Sequence, residues 1–240
     1  MRASRLSCTL LTFAVLAKPA LAAELTQVFI NNGELIYYGN ITKEANTKLA
    51  ALDAETGGTA TVLAIRSGGG ETSAGLELGK WVRTRKLDVK VLEMCFSSCA
   101  NYVFPAGRKK IVSNFAVVGY HGGLGSASFA RDAAEQKARD AMTSAEREKE
   151  DAEINKALAE KLAEETAFFR SIGVRPEITL LGQTKYYADR YEKFEKMIGW
   201  TYSVADFAKL GVDNITVVNG PWTPRILSGK YTVFSVQVKN

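Results

Sequence analysis

Between residues 59 and 120, short apolar runs alternate with stretches of helical spacing, with few residues between them. The runs at 59–65, 87–94, 111–112 and 116–120 are short enough to be buried strands. The segments 72–85 and 97–106 repeat apolar or small residues as packed helices do. Strand–helix–strand units with short links close on themselves as a mostly parallel sheet with right-handed crossovers. The preceding chain extends the pattern. Residues 25–30 and 34–39 read as two strands around the turn Asn31-Asn32-Gly33, and 42–52 as a helix through Ala45, Leu49 and Leu52, closed by Gly57-Gly58. The expected class is α/β.

The character changes at residue 126. As far as 171 the chain has neither proline nor glycine and is rich in Ala, Glu, Lys and Arg, so it predicts one long helix or two in line. Its middle is polar on every side, and a helix without an apolar face has no core to lie on. Only the last third carries a stripe, at Ile154, Leu158, Leu162, Phe169 and Ile172. The segment therefore predicts an arm in solvent or against a second subunit, with its striped end docked on the body. Gly173 ends it and Pro176 opens a short helix. Residues 186–197 allow a helix, 200–202 a strand, and Ser203 an N-cap three residues before Asp206. Gly211 closes that last helix and 215–218 is a further strand. The tail, 219–240, holds Pro221, Pro224 and an alternating strand-like run at 230–239. The expected organisation is a signal segment at 1–22, one domain over 23–218 that includes the arm at 126–171, and a C-terminal extension over 219–240.

The signal rests on Arg2 and Arg5, then an apolar run at 6–17, then Ala20-Leu21-Ala22 as a small-x-small cleavage site. The run is too short to span a bilayer, so no stable membrane span is expected. Cys8 stands at its start, which does not fit a lipid anchor. Cleavage removes Arg2, Arg5 and Lys18 and takes the formal charge from +5 to +2. A near-neutral chain without basic residues interleaved with aromatics does not point to nucleic acid. The expected location is periplasmic or secreted. No P-loop is present, and one histidine with two remaining cysteines does not make a zinc site, so neither cofactor nor metal is expected. Those cysteines, Cys95 and Cys99, are either a disulfide pair or two small buried thiols.

The chemistry-bearing residues gather in 65–123. Ser67-Gly68-Gly69-Gly70 follows a strand-like run, Ser97-Ser98 lies at a strand-to-helix turn, and His121, the sole histidine, ends another run. A serine hydroxyl needs a base to take its proton and backbone donors for the oxyanion that forms. A strand-to-helix turn exposes the hydroxyl and opens N–H groups beside it. Each piece also has a plain structural reading, as cap, turn and strand end, and spacing alone does not choose between Ser97 and Ser98.

At these residues the sequence resembles the ClpP/crotonase superfamily, and within it the proteolytic subunit of Clp protease. The family's Ser-Pro-Gly-Gly turn and following Thr-Ala-Gly are echoed by Ser67-Gly68-Gly69-Gly70 and Ser73-Ala74-Gly75. Its Ala-Ala-Ser-Met-Gly nucleophile turn is echoed by Phe96-Ser97-Ser98-Cys99-Ala100, its later histidine by His121, and its closing helix by residues 203–213. The resemblance implies a ClpP/crotonase-like spiral of β-β-α units with a protruding handle helix at 126–171. It implies Ser98 as nucleophile, His121 as general base, and the N–H groups of Gly70 and Cys99 as the oxyanion hole. It also implies a peptide or protein substrate and a homo-oligomer assembled through the handle. The family's proline is Gly68 here, and the position of its triad aspartate falls near Gly199 with no carboxylate within two residues. Export separates the chain from a cytosolic ATPase, so an ATP-independent serine peptidase is expected, with a catalytically inactive oligomeric binding or scaffold protein as the alternative. Cys95 and Cys99 bracket Ser98, and a bridge between them would pin the nucleophile turn. N-terminal sequencing of the exported chain should begin at Ala23; an intact Met1 would exclude the signal segment.

Overall fold

The structure, a computed structural model, describes residues 26–126, 133–191, 197–226 and 231–239. The signal segment lies outside the described residues. Strands β1 (Gln27–Asn31) and β2 (Glu34–Tyr38) form an antiparallel hairpin through Asn32 and Gly33, both at positive φ. Helix α1 (Lys43–Glu55) starts where Thr42 accepts a hydrogen bond from the Ala45 amide. Parallel strands β2 and β3 (Val62–Ser67) flank α1 as the first strand–helix–strand unit, and β3, helix α2 (Thr72–Arg85) and strand β4 (Asp88–Phe96) form the second.

The main sheet runs β1-β2-β3-β4-β5-β8, where β5 is Lys110–Ser113 and β8 is Ile215–Val218. All its pairings beyond the hairpin are parallel. Strand β4 has two neighbours on one side. Val89–Val91 pair with β5, and Met94–Phe96 pair with β6 (Val117–Gly119). The long strand thus reaches past β5 and carries its last residues beside a different partner. Past its end comes helix α3, a π-helical stretch Cys99–Val103 continued by Phe104–Ala106.

Helix α2 packs across α3 through Gly75 and Gly79. A Cβ at Gly75 would stand 2.6 Å from Ser98 Cβ, and one at Gly79 would stand 2.6 Å from the Tyr102 carbonyl oxygen. These two glycines, one helical turn apart, set how closely the two helices approach.

The expected arm is two helices, α4 (Ala133–Asp140) and α5 (Ser144–Ile172), and they are not in line. Thr143 and Glu146 form a capping box that restarts the helix. Arg139 then pairs with Glu150 and, at 2.6 Å, with Asp151. In one continuous helix residues 139 and 150 would lie roughly 16 Å apart, so α4 folds back along α5. The first two-thirds of α5 are exposed. Its docked end buries Phe168 and Phe169 against Tyr102, and the Tyr102 hydroxyl donates to Glu165 at 2.6 Å. Burial raises the Glu165 carboxyl above its usual range.

After short 3₁₀ turns at Pro176–Thr179 and Leu181–Gln183 come α6 (Lys185–Tyr191), β7 (Met197–Tyr202) and α7 (Val204–Lys209). As expected, Ser203 caps α7 by accepting from the Asp206 amide. Strand β9 (Thr232–Val236) pairs with β7 in parallel, and Phe234, Val236 and Val238 enter the core. The run set apart in sequence as an extension is thus packed into the body. An antiparallel bridge between Tyr120 and Trp200 joins this second sheet to the first. Around it Tyr120, Trp200, Tyr202 and Phe207 stack into one buried aromatic group.

Gly75→Val should lower stability by about 1–3 kcal/mol, because its side chain must displace Ser98 or the α3 backbone. Thermal melting checks this, and an unchanged midpoint would mean that α2 and α3 are free to move apart.

Candidate active site

Strand β4 ends in a sharp turn at Ser97. Its φ of +55° is left-handed, a conformation costly for a residue with a Cβ, whereas Ser98 is already helical at φ −55°. Two backbone bonds hold Ser97 there. Its own N–H donates to the Gly119 carbonyl at 2.9 Å, and its carbonyl accepts from the Asn101 amide at 2.8 Å. The disulfide Cys95–Cys99, with Cα atoms 5.2 Å apart, bridges the same turn. Both sulfurs belong to fully buried residues at the strand end and the helix start.

The turn sends the two serine hydroxyls in different directions. Ser97, half-buried, places its Oγ 2.8 Å from His121 Nε2. Ser98 is buried and donates its hydroxyl to the Gly70 carbonyl at 2.8 Å. The resemblance implies Ser98 as the partner of His121, whereas the hydroxyl that meets the histidine in the structure is that of Ser97. The physical reason is the left-handed turn, which points residue 97 outward and turns residue 98 inward beneath α2.

His121 follows β6, two residues beyond the Gly119 that holds Ser97. Phe96 stacks on its ring at 5.6 Å between centroids, and Gln183 Nε2 donates to its carbonyl at 3.1 Å. The residue is exposed, but the ring lies against Phe96 and Ser97. That desolvation lowers its pKa from the usual imidazole value, so the neutral form dominates at neutral pH.

The glycine turn closes the site on its other side. Ser67 pairs with Cys95 across the sheet, and its Oγ accepts from the Gly69 amide at 3.0 Å. A Cβ at Gly69, whose φ is +99°, would stand 2.6 Å from Ser97 Cβ, so a side chain here would collide with the serine. The bridge between Ile41 and Gly70 uses the Gly69 carbonyl and the Glu71 amide, which leaves the Gly70 N–H outside it. The Ser98 amide opens helix α3, where the first N–H groups have no acceptor within the helix. Cys99, expected to supply that donor, lies one residue further into the helix, as Ser98 lies one residue beyond the serine that meets His121.

Asp206, the acidic residue of α7, accepts from the Ser203 hydroxyl and the Val238 amide. Among the described residues, no group of three or more His, Cys, Asp or Glu side chains could hold a metal ion, and no helix is long and apolar enough to cross a membrane. Sequence reasoning missed Asn101, whose Nδ2 donates to the Gly122 carbonyl at 2.9 Å. The signal was an amide side chain inside an otherwise small and apolar segment.

No protein-family model matches the chain, and no curated protein matches it. Among solved structures it is similar to a mutant of ClpP1 from Listeria monocytogenes, at 16% identity and a TM-score of 0.29. The match covers 32% of this chain and half of that one. So low a score carries no weight for function, which is read from the geometry of the site.

Cys95→Ala with Cys99→Ala should lower stability by about 2 kcal/mol, the chain-entropy value for so short a loop. Denaturant titration with and without a dithiol checks this, and the wild type under reductant should fall to the level of the double variant.

Proposed function

We propose that this protein is an exported, ATP-independent serine hydrolase acting on peptide bonds, with Ser97 as nucleophile and His121 as general base. The observation that carries the reading is the 2.8 Å contact between Ser97 Oγ and His121 Nε2 at a strained strand-to-helix turn. Its setting supports it: a glycine turn packed on the serine through Gly69, with the Gly70 amide next in that turn and the Ser98 amide next in the chain.

In this reading the Ser97 hydroxyl attacks the substrate carbonyl carbon while His121 Nε2 takes its proton. The Gly70 and Ser98 N–H groups stabilise the oxyanion. The imidazolium returns the proton to the leaving amine, and water, deprotonated by the same nitrogen, releases the acyl group. A histidine with a lowered pKa is neutral, and so ready to accept a proton, at neutral pH. The resemblance to the ClpP/crotonase superfamily agrees with this chemistry. It also motivates a ClpP-like fold, a periplasmic or secreted location, a peptide or protein substrate and a homo-oligomer formed through α4 and α5. The exposed, polar surface of α5 is compatible with subunit contact.

A fluorophosphonate probe tests the assignment. Ser97→Ala and His121→Ala should each reduce labelling by about a hundredfold or more, while Ser98→Ala should keep most of it. Labelling of the wild type should rise with pH through a midpoint below about 6.5, the ordinary imidazole value. Loss in Ser98→Ala with retention in Ser97→Ala would restore the other serine. No labelling of the folded wild type would leave the binding or scaffold protein as the reading.

A further inference from the structure

We propose that Asn101 is a positioning residue that locks the loop of His121 to the turn of Ser97, an inference that rests on the pairing of Ser97 with His121 as nucleophile and base. Asn101 holds both backbones at once. Its amide N–H donates to the Ser97 carbonyl at 2.8 Å, and its side-chain Nδ2 donates to the Gly122 carbonyl at 2.9 Å. No other side chain of α3 is hydrogen-bonded to the His121 loop among the described residues. The residues it grips are the nucleophile itself and the immediate neighbour of the base.

Three observations separate this from ordinary packing. First, the bond is buried. Asn101 is 4% exposed, whereas the bond from Gln183 to the His121 carbonyl lies at the surface, where water competes. Second, Asn101 Oδ1 is buried with no hydrogen-bond partner. An amide in an apolar helix that leaves one end unpaired is a poor choice for packing alone. The end that is paired, Nδ2, is the one that meets the Gly122 carbonyl. Third, the chain leaves the sheet at His121. Tyr120 is still bonded to Trp200, but from residue 121 no strand partner fixes the backbone. Without a hold at Gly122, the Phe96 stack, the exposed Gln183 bond and the contact with Ser97 itself are left to orient the imidazole. Small displacements of a base from its nucleophile are costly to rate.

His121 is the sole histidine of the chain, so its ring protons give an unambiguous magnetic resonance signal. Asn101→Leu keeps the size and removes the donor. The expected result is a cooperative melt with labelling at least tenfold slower, and a His121 ring signal that is shifted or doubled with an altered titration midpoint. Gln183→Ala, at the surface, should change labelling less than threefold. Asn101→Asp provides a second test should the leucine variant not fold. Its buried carboxyl donates to the Gly122 carbonyl when neutral and repels it when ionised. Labelling of this variant should therefore fall as pH rises through the carboxyl's raised pKa, opposite in sign to the wild type. Wild-type labelling in either folded variant, with the wild-type pH profile and an unmoved His121 signal, would overturn the proposal. If the wild type itself is not labelled, the hydrolase reading fails. The His121 signal then still decides whether Asn101 holds the loop.

Discussion

Ser97 sits at a left-handed backbone angle between the last pair of a strand ladder and the first turn of a helix. For a residue with a Cβ this conformation costs roughly 1–2 kcal/mol, so the surroundings must over-determine it. They do so from three sides. The strand fixes its N–H on Gly119, the helix fixes its carbonyl on Asn101, and the disulfide joins the residues two before and two after it. About 2 kcal/mol of loop entropy removed by the bridge is of the same size as the strain it opposes. Such bridges persist chiefly in oxidising compartments, so the export we propose would keep this one closed.

The neighbours of that turn are dictated by its sharpness. Gly69 and Gly75 meet Ser97 and Ser98 respectively, each at a separation that leaves no room for a side chain. The sheet supplies the rest. Because β4 outruns β5, its final residues pair with β6, and β6 delivers His121 one residue past the bridge at Tyr120. Ser97 and His121 therefore follow adjacent parallel strands and emerge at the same carboxyl edge. In open α/β sheets that edge is where ligands bind, since loops there are free to vary while the strands below stay fixed.

Much of this was legible in the residues. Apolar runs of strand length, separated by helical spacing, located α2 at its exact bounds and β3 and β4 to within three residues at each end, and the Ser203 cap behaved as its side chain predicts. The disulfide is one of the two readings that the pair Cys95 and Cys99 left open. The choice between Ser97 and Ser98 was not legible, because adjacent serines have the same side-chain chemistry, and the sign of φ that separates them is imposed by the ladder and the helix. Glycine or asparagine would have advertised a left-handed position; serine does not. The partner of β9 was hidden for a different reason. Alternation at 230–239 signals a strand, but its pairing with β7 lies more than thirty residues back along the chain, and no local pattern encodes it. The break in the arm is written in Thr143 and Glu146, a capping box inside a helix-rich run that composition alone reads as continuous.

For the general base we propose, the desolvation that lowers the His121 pKa has two consequences that oppose each other in rate. It keeps the imidazole neutral, so that it is ready to take a proton, and it makes that imidazole a weaker base once ready. A carboxylate behind the ring would reverse both, raising basicity and stabilising the imidazolium as it forms. Asp206, the acid of the closing helix, instead ties Ser203 and the backbone of Val238 and so anchors the last strand. With that carboxylate used in packing, orientation of the ring falls to Phe96 and to the buried amide of Asn101. These groups fix where the ring lies without adding charge. The site is therefore organised by geometry more than by electrostatics, and the hydrolase activity we propose for it should respond more strongly to changes in the backbone holds than to changes in ionic strength.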